Sequence, residues 1–381
     1  MFFDLNASQA QVWSYFLKNP AQAWSVEGLA RADAIALAQM GLLSQEGGSF
    51  RINLDSDAWL TWELTQAPAA RRAVAYDSRV ISEYRPNETQ WLSDAQLKRM
   101  ERASALNLDV ARDAKSSAPV DSLSSAAGPA TELPGQEKNW QSWALSLARA
   151  SSNLENVSIS KSETEALLAR GERPARLSDQ ELRIVSNHGD AVEFLSDHAQ
   201  DLSLDRRNVM DLHALLMGGL LADPKTVGAL RQNAVRFDDS RYLPLSVPSQ
   251  VREAFEEFCE KAPQIENPHE QAFLTMAFLP YLQPFQDGNK RTSRLAMNMA
   301  LLAKKAAPFS FSGIERGDYM FGLLAVYERG RFGPLANAFA DSYEKETIET
   351  AEAFNRSGER GRKDAIGAIA ESSLRKKTRS L

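Results

Sequence analysis

Between residues 139 and 346 apolar side chains recur every three or four positions in one stretch after another, and this repetition restricts the central part of the chain to a mainly α fold. The helical stretches are 139–152, 162–169, 178–200, 205–221, 247–261, 267–282, 289–304, 316–327 and 332–345. One segment among them has strand character: residues 231–246 read as an exposed hairpin. A chain of 381 residues has room for two or three domains and for a large core.

Ahead of the helical half, residues 1–60 read as a small winged-helix-like module. A helix at 8–19 carries Val12, Tyr15 and Phe16, an apolar stretch runs from Val26 to Leu43, and Gly47-Gly48 signals a hairpin turn between two short strands. Use of such a module on DNA requires basic residues. Residues 1–60 hold only Lys18, Arg31 and Arg51 against six acids, which favours protein contact or scaffolding over phosphate contact. Residues 61–137 read as a helical region, with Ser93 capping a helix that carries Leu97 and Met100, followed by a linker over 114–137 rich in Ser, Ala, Pro and Gly. Residues 138–346 form the main domain, and 347–381 a basic tail, with eight basic residues against three acidic ones beyond 355.

Composition excludes several function classes. The net charge of -6 gives no reason to expect non-specific nucleic-acid binding. The single cysteine, Cys259, lies in an amphipathic run and reads as an inert thiol, and one cysteine allows no disulfide within the chain. His188, His198, His213 and His269 lack metal-ligand spacing, so no zinc site is expected. The start has no basic region followed by an apolar one, and no apolar run approaches the roughly 18 residues of a membrane helix. A cytoplasmic location, with no membrane partner, is the resulting expectation.

The chemistry concentrates in Gln283-Pro-Phe-Gln-Asp-Gly-Asn-Lys-Arg-Thr-Ser-Arg294, between one strongly apolar helix and the next. A loop feeding a helix start presents unpaired N–H groups and the positive end of the helix dipole, both of which favour an anion such as phosphate. Gly288 permits a tight turn and close approach, and Asn289 can cap the helix or donate its amide to a phosphate oxygen. Arg291 and Arg294 share a helix face, where two guanidinium forks can hold neighbouring phosphates. Asp287 offers one hard oxygen for Mg²⁺, which usually binds through one or two carboxylates and the phosphates themselves. The competing reading of the same string is an interhelical turn with its arginines in solvent.

The whole string resembles the signature of the Fic family, His-Pro-Phe-x-Asp/Glu-Gly-Asn-Gly/Lys-Arg-x-x-Arg. The resemblance extends over most of residues 80–345, through Tyr84 to Thr89, the helix from Asn187 to Leu195, Leu212-His213, Arg231 with Val235, and the helix containing Tyr319. It implies a Fic-type helical bundle with a short β-hairpin flap at 232–242, and the transfer of AMP from ATP to a hydroxyl of a target protein. By position it assigns Asp287 to Mg²⁺, Asn289 with the Gly288 and Lys290 amides to the anion pocket, Arg291 to the phosphate chain and Arg294 to the terminal phosphate. Fic relatives often pair, so a homodimer is open.

Ser151-Ser-Asn-Leu-Glu-Asn156 resembles the inhibitory Ser/Thr-x-x-x-Glu-Gly/Asn pattern of the same family, which implies an ion pair between Glu155 and Arg294 and autoinhibition. One departure is serious. The family's histidine general base is Gln283 here, and an amide takes up no proton near neutral pH. The alternatives left open are slow transfer, a deAMPylating hydrolysis, a catalytically silent nucleotide-binding regulator, and a Doc-like protein kinase, the last suggested by Lys290.

Overall fold

In the computed structural model, residues 5–18, 22–116, 134–198 and 201–353 are described. They form two compact units. The basic tail beyond 355 and most of the expected linker lie outside the described residues.

The first unit comprises the described residues among 5–74, together with Arg236–Leu243 and Tyr327–Arg329. Its elements are α1 (Ala7–Leu17), β1 (Trp24–Ser25), α2 (Leu29–Gln39), β2 (Leu43–Glu46), β3 (Ser49–Ile52) and α3 (Asp57–Thr65). Asn6 and Gln9 form a reciprocal capping box that starts α1, and Ser56 caps α3. The expected hairpin is present: β2 and β3 pair antiparallel across Gly47, whose φ of 60° belongs to the left-handed region that glycine tolerates. The sheet order is β1-β3-β2. Its apolar face closes over Trp13, Phe16, Leu37, Phe50 and Trp59, with Trp13 edge-on to Trp59 at 5.9 Å between ring centroids. In the same unit Glu328 is buried and accepts from Arg71 (2.9 Å), the Ser240 hydroxyl (2.7 Å) and the Arg241 N–H (2.9 Å).

The second unit comprises the described residues among 75–235 and 244–326, together with 330–353. It holds α4 (Arg79–Ser82), α5 (Asp94–Ser116), α6 (Pro134–Leu154), α7 (Lys161–Arg170), α8 (Asp179–Asp197), α9 (Arg206–Met217), α10 (Pro248–Lys261), α11 (Pro268–Leu282), α12 (Asn289–Ala303), most of α13 (Arg316–Arg329), and α14 (333–353). Local chemistry accounts for many of the starts. Ser160 with Glu163 and Ser178 with Glu181 make capping boxes, Asp205 caps α9, and proline stands in the first turn of α10 and α11. From His269 to Leu282 every residue of α11 is buried, so this helix is the core of the unit, and α12 packs along it. The buried Glu270 carboxylate accepts from the Trp91 and Leu92 amides at 2.8 and 3.0 Å, which ties the stretch after Tyr84 to α11.

Two expectations need correction. Helix α6 begins at Pro134 and α5 runs to Ser116, so both ends of the stretch read as a linker are helical. The segment 231–246 forms no hairpin of its own. Its one strand, β5 (Tyr242–Leu243), pairs with β4 (Val74–Ala75). The physical reason lies in Arg231, whose buried guanidinium takes up the Asn233 and Leu245 carbonyls at 2.8 and 2.5 Å and so removes acceptors a hairpin ladder would use.

Among the described residues, no helix is long and apolar enough to cross a membrane, and no three His, Cys, Asp or Glu side chains gather as metal ligands. Cys259 is half-buried, and burial pushes its thiol up to about 12, the state of an inert thiol.

Candidate functional site

Helix α11 ends where Gln283 turns left-handed, with φ 53°. Five residues later Gly288, at φ 79°, opens α12 without any side-chain cap. A Cβ on Gly288 would lie 2.5 Å from Met217 Sδ, so the turn needs glycine for its backbone angle and for the space. The first N–H groups of α12 have no partner within the helix and point at the mouth of the loop. The Gly288 N–H itself is taken by the Asp287 carboxylate at 2.6 Å.

Three side chains hold this loop in place. The His213 ring stacks on Phe285, 3.8 Å between centroids and 9° from parallel. Its Nδ1 accepts the Gly228 N–H at 3.0 Å, which leaves the proton on Nε2 to be donated to the Asp287 carbonyl, also at 3.0 Å. Burial lowers the His213 pKa to about 4, so the ring stays neutral in this role. Arg231 donates its Nε–H to the Gln283 carbonyl at 2.6 Å. Asn289 folds back: Oδ1 accepts the Phe285 N–H at 2.8 Å, and Nδ2 donates to the Phe285 carbonyl at 2.9 Å and to Gln283 Oε1 at 2.8 Å. Asn289 therefore neither caps α12 nor offers a free donor to an anion, because the carbonyls of a tight buried turn claim its amide first.

Gln283 is buried and its amide is engaged at both ends, with Nε2 donating to the Pro280 carbonyl at 2.8 Å and Oε1 accepting from Asn289. These two bonds fix the orientation of the amide and leave one N–H and one lone pair outside them, neither of which can take up a proton near neutral pH.

The two arginines behave as their spacing suggested. Both stand on the inner face of α12, and both reach one carboxylate, Glu155, one residue beyond the end of α6. Arg294 Nη2 lies 2.8 Å from Glu155 Oε1, and Arg291 Nε lies 3.8 Å from Oε2. The Arg294 side chain is 0% exposed, Arg291 6% and Glu155 18%. Arg294 also donates from Nε to the Ser151 hydroxyl at 2.9 Å and from Nη2 to the Ser151 carbonyl at 3.2 Å, while its guanidinium lies 5.7 Å from the centre of the Tyr319 ring. Burial alone would raise the Glu155 pKa, but Arg294, Arg291 and Lys290 outweigh it and bring it down to about 2. Asn156, at φ 66°, supplies the left-handed residue that ends this segment.

Asp287 differs from the rest of the site in being 65% exposed, with Arg291 Nη2 at 3.1 Å from its Oδ2. One open carboxylate at a helix mouth fits Mg²⁺ carried on phosphates, which needs few protein ligands, and does not fit a cage built from protein alone. Lys290 is half-buried beside it.

Asp287, Gly288, Asn289, Lys290, Arg291 and Arg294 thus stand at one turn with Gln283 behind it, and Glu155 meets them from α6. Sequence reasoning named His213 and Arg231 only as carriers of the family resemblance and did not assign them to this construction. Their spacing carries no signal, since each acts on residues tens of positions away.

This part of the chain is similar to known proteins. Residues 203–301 match the Fic/DOC family model. Protein adenylyltransferase fic-1 of Caenorhabditis elegans is 26% identical over 195 residues, 49% of this chain and 37% of the relative. Protein adenylyltransferase Fic of Nematostella vectensis is 29% identical over 126 residues, 33% of this chain and 29% of the relative. The chain therefore spans about a third of the length of these curated relatives. Among solved structures, Fic-1 (aa134–508) from C. elegans superposes with a TM-score of 0.50 at 19% identity, covering 67% of this chain and 71% of that one. A Fic domain containing signaling protein from Bacteroides thetaiotaomicron gives 0.52 at 16% identity, covering 68% of this chain and 97% of that one. The turn between α11 and α12 lies inside the residues that match the Fic/DOC family model, and the superpositions show a shared fold.

Proposed function

We propose that this chain binds ATP at the turn between α11 and α12 and transfers AMP to a hydroxyl of a target protein, restrained by Glu155. The observation that carries the reading is the convergence of Arg291 and Arg294 on one carboxylate at the mouth of α12. Two buried cations that meet at one carboxylate form a polyphosphate clamp whose resident counter-charges are Glu155 and, on Arg291, also Asp287. The relatives named as protein adenylyltransferases support the activity class.

In this reading the N–H groups of α12 and Arg291 hold the phosphate chain, and Arg294 reaches the terminal phosphate once Glu155 leaves it. Asp287 would hold Mg²⁺ on the phosphates, and the metal would neutralise their charge. The target hydroxyl attacks the α-phosphorus, pyrophosphate departs, and the hydroxyl proton passes to solvent because Gln283 cannot take it. Loss of a general base typically costs about 10²–10⁴ in rate, so transfer is slow. Charge neutralisation and positioning remain, and these supply much of the acceleration in phosphoryl-type transfer.

The test is incubation with α-labelled ATP and Mg²⁺ in a lysate, parent beside Glu155→Gly. The variant is expected to label protein more strongly. Equal labelling in the two would refute restraint by Glu155, and no labelling by either would refute the transferase. A second reading, a nucleotide-binding regulator without transfer, draws support from the Gln283 amide being engaged at both ends. ATP uptake without labelling by either protein would favour it.

A further inference from the structure

We propose that His188 is a positioning residue for Arg294, acting through the Ser151 hydroxyl, so that α8 as well as α6 sets how firmly Arg294 is held against Glu155. The proposal rests on the reading of Glu155 as a restraint and names a further part of it.

Hydrogen-bond directions carry the argument. His188 Nδ1 lies 2.7 Å from the Ile184 carbonyl. A carbonyl only accepts, so Nδ1 bears the proton and Nε2 is a bare acceptor. Nε2 lies 2.8 Å from Ser151 Oγ, so the single hydroxyl proton of Ser151 points at the ring. The oxygen's lone pairs are thereby turned toward Arg294, whose Nε–H lies 2.9 Å away. The direction of donation runs from Arg294 to Ser151 to His188 to Ile184, and each step fixes the next.

Alternative arrangements are closed off. The ring is buried, and burial lowers its pKa to about 3, with Arg294 and Arg291 adding to the effect, so Nε2 stays unprotonated. Ser151 is fully buried, which leaves its hydroxyl no water to turn to. The neighbouring Ser152 hydroxyl donates to the Ala148 carbonyl at 2.7 Å and does not compete for Nε2. Without the acceptor at position 188 the Ser151 hydroxyl is free to rotate. One of the contacts by which residues 151–155 grip Arg294 is then lost from a set that includes Ser151 Oγ, the Ser151 carbonyl and Glu155.

The experiment compares Ser151→Ala, His188→Leu and His188→Gln with the parent, each also in a Glu155→Gly background. Glutamine can place an acceptor oxygen where Nε2 stood, and leucine cannot. The first readout is solvent exchange of the Arg294 Nε–H in ¹⁵N-arginine spectra, which needs no activity. His188→Leu and Ser151→Ala are expected to speed it by about 10- to 100-fold, the equilibrium worth of one hydrogen bond from a charged donor, with His188→Gln near the parent. The second readout is ATP affinity by calorimetry, expected to rise by a similar factor in the parent background and to stay unchanged in Glu155→Gly. Unchanged exchange in His188→Leu and Ser151→Ala, or identical exchange in His188→Leu and His188→Gln, overturns the proposal. Equal affinity gains in both backgrounds also overturn it, since a merely structural effect would ignore Glu155. Should His188→Leu fail to fold, His188→Phe, which also lacks an acceptor, is compared with His188→Gln in its place. Accelerated exchange in a protein that takes up no ATP would sink the proposed function and leave the positioning role of His188 supported.

Discussion

Removing the charge of Glu155 while keeping its shape should leave Arg294 buried without its counter-ion, and the cost can be worked from the geometry. Arg294 is 0% exposed and its ion pair with Glu155 is 2.8 Å long, whereas Arg291 keeps Asp287 at 3.1 Å. Deleting one partner of a buried pair destabilises by about 3–5 kcal/mol. The acid–base behaviour of Glu155 leads to a similar figure. A pKa that falls from 4.5 to about 2 corresponds to about 3 kcal/mol in favour of the charged carboxylate. Because the folded pKa is depressed, this stability is present above pH 4.5 and is lost as the pH falls toward 2. Glu155→Gln is therefore expected to lower the urea midpoint of the helical unit at pH 7, followed by circular dichroism, by at least about 1 M at ordinary slopes of ~1–3 kcal/mol per molar. Between pH 4.5 and 2 the variant should lose less stability than the parent. ATP should restore it, by about 2.7 kcal/mol at a hundred times the Kd, because phosphate oxygens supply the missing anion. A variant within about 0.5 kcal/mol of the parent at pH 7, with the same acid slope, would refute the view that Arg294 depends on Glu155.

Three further outcomes are expected. Gly288→Ala meets both a left-handed backbone and the Met217 sulfur, and should cost about 2–5 kcal/mol in chemical denaturation; adding Met217→Ala should recover only the crowding part. Gln283→His in the Glu155→Gly background should raise label transfer from α-labelled ATP by about 10²–10⁴, and an unchanged rate would remove proton transfer as the missing step. Glu346 behaves oppositely to Glu155: burial raises it to about 7 despite hydrogen bonds from Ser310 and Ser312, so the parent should lose stability as the pH rises from 4.5 to 7, and Glu346→Gln should flatten that slope in pH-dependent melting.

What could be read directly from the chain was whatever depends on near neighbours. The 3.6-residue period located the helical stretches, and Ser93 could be named as the cap of the helix that carries Leu97 and Met100, because a capping bond closes within four residues. Asp287, Gly288, Arg291 and Arg294 could be placed together for the same reason, since one turn and the start of one helix hold them all. Only tertiary structure decided which groups those side chains meet. Ser151 lies 37 positions from His188 and 143 from Arg294, and the pairing of β5 with β4 spans a comparable stretch of chain. Asn289 could equally have faced an anion or its own loop, and Gln283 a substrate or Pro280. Such choices follow from which polar groups packing has cut off from water, and a buried carbonyl or guanidinium takes the nearest available partner however distant in sequence.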